Sequence, residues 1–197
     1  MRAHPVLVSI VLTLLLPALA PAVGQAQGTP CFLARATVAE AAERPSPLGT
    51  VTITLGGETA TLCYGRPFAR DRTVMGELVP FDRPWRTGAN EATALHFPFA
   101  ARVGGVELDP GSYSLYTIPG ENEWEIVLNE SVERWGVPIS NEVQEADVGS
   151  FTRPTESTDS TVEQLTFRWE PRGEAMGHLV MEWERTRVEI PVERIGQ

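Results

Sequence analysis

Arginines and aromatic residues are concentrated in one stretch of the chain, residues 64–91, and this stretch offers the clearest binding chemistry. Guanidinium groups bind carboxylate, sulfate and phosphate groups through paired hydrogen bonds, and aromatic rings stack on sugars and on other rings. This arginine-rich stretch is therefore a candidate surface for a small anionic ligand or a glycan. The candidate binding residues are Tyr64, Arg66, Arg70, Arg72, Trp85, Arg86, Asn90 and Glu91.

The same stretch also contains acidic residues that could neutralise its arginines without any ligand. Its five arginines are accompanied by Asp71, Glu77, Asp82 and Glu91. Internal Arg–carboxylate pairs would hold a long connection in place by themselves. The sequence favours this structural interpretation, and it leaves open a ligand site that uses one or two of the arginines.

The residue types of the stretch support catalysis less strongly than they support ligand binding. Glu91 is the best candidate for a general base, with Glu77 or Asp71 as a second carboxylate, because glycoside hydrolysis uses paired carboxylates. His96 follows Glu91 by five residues, but a histidine with a structural role fits its strand position better. No catalytic residue is assigned, and a hydrolase that acts on glycans remains the alternative function. The spacing of the histidines matches no metal motif, so we predict neither a metal nor a cofactor.

The charge and the N-terminal sequence limit the class of protein. The chain has 197 residues and a net charge of −10, which argues against nucleic acid as a partner. Residues 1–26 resemble a signal peptide, with a basic start, an apolar run and small residues before a cleavage site. We therefore expect export to the periplasm or the extracellular space, with no membrane span after signal removal. The sequence does not define the oligomeric state.

The two cysteines, Cys31 and Cys63, are the candidates for a disulfide, since an even pair in an exported protein is most often oxidised. Two unpaired cysteines are the alternative. The bridge would tie the N-terminal segment and linker, residues 27–49, to the strand that enters the arginine-rich stretch.

Short alternating segments separated by Gly and Pro turns predict an all-β domain over residues 50–194. Val51, Ile53 and Leu55 alternate with threonines, and a Gly-Gly turn follows them, which is typical of a hairpin. The pattern predicts nine or ten antiparallel strands and almost no helix. A sandwich is the first choice and a closed barrel the second. Residues 155–161 are predicted to be a loop, and residues 188–192 an edge strand that could pair with another subunit.

Several motifs in and after the arginine-rich stretch give the chain a family resemblance. They are YGRP (64–67), PWRTGANE (84–91), VGG (103–105), PGSYSL (110–115) and TIPG (117–120). Over roughly residues 50–192 the chain closely resembles the bacterial domain of unknown function 2911 family. The resemblance implies an exported, mostly β protein and transfers no catalytic residue. We therefore expect an exported β-sandwich protein that acts as a non-catalytic binding or structural module.

Overall fold

The computed structural model describes residues 31–196 together with Met1, so the predicted signal peptide lies almost entirely outside the described residues. The described chain is 56% strand and 5% helix, which confirms the all-β prediction. The described residues form two short helices, α1 (Val38–Ala42) and α2 (Asn141–Gln144). The nine strands of the described chain are β1 (Leu48–Leu55), β2 (Glu58–Gly65), β3 (Thr93–Phe97), β4 (Ala101–Val103), β5 (Val106–Leu108), β6 (Gly111–Pro119), β7 (Glu123–Asn129), β8 (Asp147–Pro171) and β9 (Met176–Arg194).

All nine strands belong to one antiparallel sheet in the order β1-β2-β3-β6-β7-β8-β9-β4-β5. The first part of β8 pairs with β7, whereas its later part, from Thr155 onwards, pairs with β9. One strand therefore links two layers, as occurs at the corners of sandwiches. The sheet does not close on itself in the described residues, so the sandwich is confirmed and the closed barrel is wrong.

A single hydrophobic core lies between the two layers. In β1 the buried residues Val51, Ile53 and Leu55 alternate with exposed threonines, because successive side chains of a strand point to opposite faces. Trp124 of β7 and Trp183 of β9 are both about 1% exposed and belong to the same cluster. Burial of each large apolar side chain contributes roughly 1.5–3 kcal/mol, so the alternating positions largely determine the register.

Two predictions about the C-terminal third are wrong. The polar run 155–161 is part of β8 rather than a loop, and Thr155 pairs with Val188. Residues 188–192 are not a free edge, since Val192 pairs with Val103 of β4 while Val188 pairs with β8. The Pro191 carbonyl oxygen also accepts a hydrogen bond from the Gly104 N–H, 2.9 Å away, so this part of β9 is bonded to the chain after β4. Assembly through this edge therefore has no structural basis.

The N-terminal segment is attached to the rest of the chain by a disulfide, an ion pair and several hydrogen bonds. Cys31 and Cys63 form the predicted disulfide, which joins the segment to β2. Further along the segment, the Arg44 guanidinium forms an ion pair of 2.8 Å with Glu91. No helix among the described residues is long and apolar enough to cross a membrane.

Candidate functional site

The arginine-rich stretch is an ordered crossing from β2 to β3 that is hydrogen-bonded to its neighbours. The backbone of Trp85 exchanges two hydrogen bonds with Thr117 of β6, at 2.7 and 2.9 Å. Near its start, Pro67 and Ala69 bond the backbone of β8. Val74 and Val79 enter the hydrophobic core and are no more than 1% exposed. These anchors hold the irregular backbone in one conformation.

The backbone of the stretch is unusually contorted. Five of the six non-glycine residues with positive φ in the described chain lie within it: Arg70, Asp71, Asp82, Thr87 and Asn90. Thr87 is the most unfavourable of them, because a β-branched residue rarely adopts φ of 55°. Such strained positions cluster at functional sites, where the surrounding structure must hold them. The region around Thr87 is therefore a candidate site on backbone grounds alone.

A cavity of about 420 Å³ lies beside this contorted segment. Most of its wall comes from the arginine-rich stretch, and the linker, the 131–138 loop and β9 complete it. The lining residues are Ser46, Pro67, Arg72, Leu78, Val79, Pro84, Trp85, Arg86, Gly88, Ala89, Val137 and Trp183. Of the eight predicted binding residues, the structure places Arg72, Trp85 and Arg86 at this cavity.

Two tryptophans form a rigid part of the wall. The Trp85 ring stacks on Trp183 with centroids 5.9 Å apart, and it meets Trp124 edge-on at 5.8 Å. Trp85 is half-buried, whereas Trp183 is fully buried in the core. The ring of Trp85 is thus fixed by two core tryptophans, which prepares one aromatic surface at the cavity.

Arg86 is a cationic group at the edge of the cavity, and its neighbours hold its side chain in place. Its Nε donates to the Gly88 carbonyl oxygen at 3.1 Å, and burial lowers the pKa of its guanidinium. In the described chain Arg86 has no carboxylate within ion-pair distance. Gly136 makes room for it, since a Cβ there would lie 2.5 Å from Cδ of Arg86. A half-buried cation without an anionic partner therefore borders the cavity.

The predicted internal Arg–carboxylate pairing of the stretch is wrong, because four of its five arginines bind carbonyl or hydroxyl oxygens instead. Arg72 donates to the carbonyl oxygens of Phe68 and Ala69 at 2.8 Å each. Arg66 bonds the Leu165 carbonyl and the Thr166 hydroxyl, and Arg70 bonds the Pro45 carbonyl. The irregular backbone leaves these oxygens available. The exposed acids of the stretch form no ion pairs within residues 31–196.

Glu91 lies away from the cavity and is fully engaged. It is 8% exposed, and its two carboxylate oxygens accept hydrogen bonds from the Ala34 N–H at 3.1 Å and from Arg44 at 2.8 Å. The adjoining gap measures about 10 Å³, which is barely the space of one water molecule. This geometry fits an anchor for the N-terminal segment and gives no support to a general base.

His96 occupies the outer face of β3, on the opposite side from the core residues Leu95 and Phe97. Its Nδ1 lies 2.8 Å from the Ser112 hydroxyl oxygen, and burial lowers the pKa of the imidazole. Its Nε2 is buried and has no hydrogen-bond partner among the described residues. The side chain is 4% exposed, which agrees with a structural role.

The remaining candidates, Tyr64 and Asn90, serve the scaffold. Tyr64 is 4% exposed, and its hydroxyl oxygen accepts a hydrogen bond from the buried Phe167 N–H at 2.9 Å. Asn90 donates from its side-chain amide to the Ser46 carbonyl oxygen at 2.8 Å, which ties the stretch to the linker. Neither residue lines the large cavity.

Sequence reasoning missed the part of the cavity that comes from other elements. Trp183 alternates with Met181 and Leu179, so its pattern indicates a core residue, and it is one. Trp183 also lines the cavity, next to Trp85, whose ring stacks on it. Val137 lies in an irregular segment whose position no local pattern predicts. Across residues 31–196 no cluster of three potential metal ligands is found.

The fold and the site together define an open β-sandwich protein with a tryptophan- and arginine-lined cavity beside its longest connection. The family described as "Protein of unknown function (DUF2911)" matches residues 46–192. The chain therefore belongs to this family, as its motifs indicated. No curated protein and no solved structure gives a match.

Proposed function

We propose that this protein is an exported, non-catalytic module that binds a small anionic ligand in the cavity beside Arg86. The observation that carries the proposal is the half-buried guanidinium of Arg86, which borders a cavity of about 420 Å³ without a carboxylate partner. Burial of an unpaired charge is unfavourable, and an incoming anion would relieve that cost.

The attraction between the Arg86 guanidinium and a bound anion makes a measurable contribution to affinity. Two opposite charges about 4 Å apart attract by about 4 kcal/mol at an effective dielectric constant of about 20. The hydrogen bond from Nε of Arg86 to the Gly88 carbonyl oxygen fixes the guanidinium. The two terminal amino groups of Arg86 make no hydrogen bond in the described chain. They are therefore available for the paired contacts that Arg makes with carboxylates. The net charge of −10 makes the surroundings unfavourable for anions, but no acidic side chain lines this cavity.

A binding role is better supported than catalysis. Glu91 uses both carboxylate oxygens in structural contacts, and its neighbouring gap has no room for a substrate. His96 lies outside the cavity lining. No observation favours the hydrolase that the sequence left as an alternative.

Export is supported by the N-terminal sequence and by the disulfide. The apolar segment with a small-residue cleavage site is typical of a signal peptide. The Cys31–Cys63 bridge is of the kind that persists in oxidising compartments. Fractionation of a bacterial host that expresses the full chain, followed by mass spectrometry, tests this. We expect a mature protein outside the cytoplasm that begins close to residue 27, whereas an uncleaved cytoplasmic chain would contradict export.

Ligand binding is tested with the variant Arg86→Met, which removes the charge and keeps most of the side-chain length. Arg83→Met is the matched control, because Arg83 is exposed in the same stretch and does not line the cavity. The mature protein is titrated by calorimetry with acetate, phosphate, sulfate, glucuronate and phenylpropionate.

We expect at least one anion to bind the wild type and Arg83→Met equally, and to bind Arg86→Met at least tenfold more weakly. A tenfold loss corresponds to about 1.4 kcal/mol. Absence of binding by every anion, or equal binding by both variants, would overturn the proposal.

A further inference from the structure

The lining of the cavity restricts the ligand more narrowly than charge alone. We infer that the ligand is an organic carboxylate with an apolar body, such as an arylalkanoic or branched aliphatic acid, rather than an inorganic anion or a glycan. This inference rests on the proposed function, since it concerns the same cavity and the same Arg86.

The size of the cavity argues against an inorganic anion. Its volume of about 420 Å³ lies within the range of roughly 300–1,000 Å³ that is typical of sites for drug-sized ligands. A phosphate or sulfate bound at Arg86 would leave most of this volume to water, including the part that lies against Leu78, Trp85 and Val137. An organic body would replace that water and cover the walls.

The chemistry of the walls argues against a glycan. Sugar hydroxyl groups donate hydrogen bonds and need acceptors, which binding sites usually supply from acidic and amide side chains. Among residues 31–196, no Asp, Glu, Asn or Gln lines this cavity. Of the lining side chains in that range, Ser46 alone supplies an aliphatic hydroxyl group, and the two arginines can only donate. A glycan would therefore find few side-chain acceptors for the hydrogens of its hydroxyl groups.

The apolar residues indicate where the body of the ligand would lie. Leu78 and Val137 both line the cavity, yet they are 41% and 46% exposed. Trp85 adds a ring that its stacking on Trp183 holds in place. A ligand whose carboxylate reaches the half-buried Arg86 would cover these apolar side chains with its body. Exposed apolar groups that converge on one concave surface are typical of such sites.

The inference is tested with ligands that separate charge from apolar body. Benzoate, 3-phenylpropionate, 4-methylvalerate and octanoate are titrated into the mature protein, beside phosphate, glucuronate and the neutral 3-phenylpropanamide. We expect at least one of the four acids to bind at least tenfold more tightly than phosphate and glucuronate. We expect 3-phenylpropanamide to bind at least tenfold more weakly than 3-phenylpropionate.

A second arm uses variants at the cavity rim. Val137→Ser and Leu78→Ser should each weaken binding of the best acid at least threefold, because they remove apolar contact. The matched control is Val148→Ser, which alters a valine that is also exposed, at 39%, and does not line the cavity. Circular dichroism of each variant verifies the fold.

The outcomes distinguish the two proposals. If phosphate or glucuronate binds as tightly as the best acid and depends on Arg86, the anion site stands and the apolar-acid inference is wrong. If the rim variants and the Val148 control behave alike, the apolar body does not contact the rim and the inference is also wrong. If the amide matches the acid, or no anion binds, both proposals are overturned.

Discussion

Thr87 shows how a single residue can maintain the geometry of the cavity. It has φ of 55° and no exposed surface, and such a conformation costs about 1–3 kcal/mol. Its hydroxyl lies 3.1 Å from both the Trp85 carbonyl oxygen and the Thr117 hydroxyl, and its carbonyl accepts from Thr93 at 2.9 Å. These bonds offset the strain and turn the chain so that Arg86 borders the cavity.

Tyr64 gives a prediction about a buried hydrogen bond. In Tyr64→Phe the buried Phe167 N–H loses its acceptor, so we expect the free energy of unfolding to fall by about 1–3 kcal/mol. Urea denaturation of the mature protein measures this. Tyr113→Phe is the control, since its hydroxyl donates only to the Asp109 carbonyl oxygen, which water can reach. Equal losses in both variants would contradict the prediction.

At the residue scale, the sequence predicted the chemistry of the site better than its geometry. Trp85 and Arg86 could be identified because arginines and aromatics cluster within one irregular stretch. The roles of Tyr64 and Glu91 could not, since their burial depends on contacts with Phe167 and Arg44, which lie far away in the sequence. Residue types show what a side chain can bind, and only the fold decides which partner reaches it.

At the scale of elements, β8 and β9 share a network of charged side chains on the face of their pairing that points away from the core. Arg168 bonds both Glu170 and Glu182, and Arg187 contacts Glu182 and Glu189. His178 and Arg172 extend the network. The carboxylates are less than one third exposed, so these pairs are better shielded than ordinary surface ion pairs.

This network predicts loss of stability in acid. Burial raises the pKa of Glu182, but hydrogen bonds from Arg168 and Arg187 lower it more strongly. The hydrogen bond from Arg187 lowers the pKa of Glu189. Each folded pKa therefore lies below the ordinary value of 4.5. The stabilisation is complete above about pH 4.5 and is lost as pH falls through the lowered folded pKa.

Glu182→Gln tests this pH dependence. At pH 7 we expect it to reduce the free energy of unfolding by about 1–3 kcal/mol, with a smaller reduction at pH 3 because protonation already weakens the wild-type bonds. Urea titrations at a series of pH values measure both effects. Glu107→Gln, which alters a carboxylate that is 64% exposed, should change stability by less than about 0.5 kcal/mol. A constant effect of Glu182→Gln from pH 7 to pH 3 would contradict the prediction.

The elements that the sequence predicted well are those with apolar alternation. The β1–β2 hairpin follows from Val51, Ile53 and Leu55 and from the Gly-Gly turn after them. Residues 155–161 have no such alternation, because this part of β8 is exposed or half-buried and consists largely of Ser, Thr and acidic residues. Its extended conformation depends on pairing with β9, which is a tertiary contact that no local pattern contains.

At the scale of the whole molecule, the disulfide ties the N-terminal segment to the sandwich. It closes a loop of 32 residues in sequence separation, which in the chain-entropy model stabilises the fold by about 3–4 kcal/mol. We expect the double variant Cys31→Ala, Cys63→Ala to lose about this free energy of unfolding, measured by urea denaturation. The free energy of unfolding of the wild type should fall by a similar amount when a reducing agent breaks the disulfide. A loss below about 1 kcal/mol in both would contradict the prediction.

The choice between a sandwich and a barrel could not be made from the sequence. Closure would require β1 and β5, at opposite ends of the strand order, to meet. Strand propensities and turns are the same in both architectures, so the decision depends on how strongly the sheet bends within β8. The predominance of strand and the scarcity of helix, by contrast, followed directly from local patterns.

The position of β9 in the sheet has a consequence for the order in which the chain can fold. Within residues 31–196, the β4–β5 hairpin pairs with the rest of the sheet only through the last residues of β9, and Arg102 meets Glu193 across 91 positions of sequence. During synthesis from the N-terminus, the hairpin therefore has no neighbouring strand until almost the whole chain has left the ribosome. The sheet of a nascent chain therefore stays incomplete at this edge until its final strand arrives.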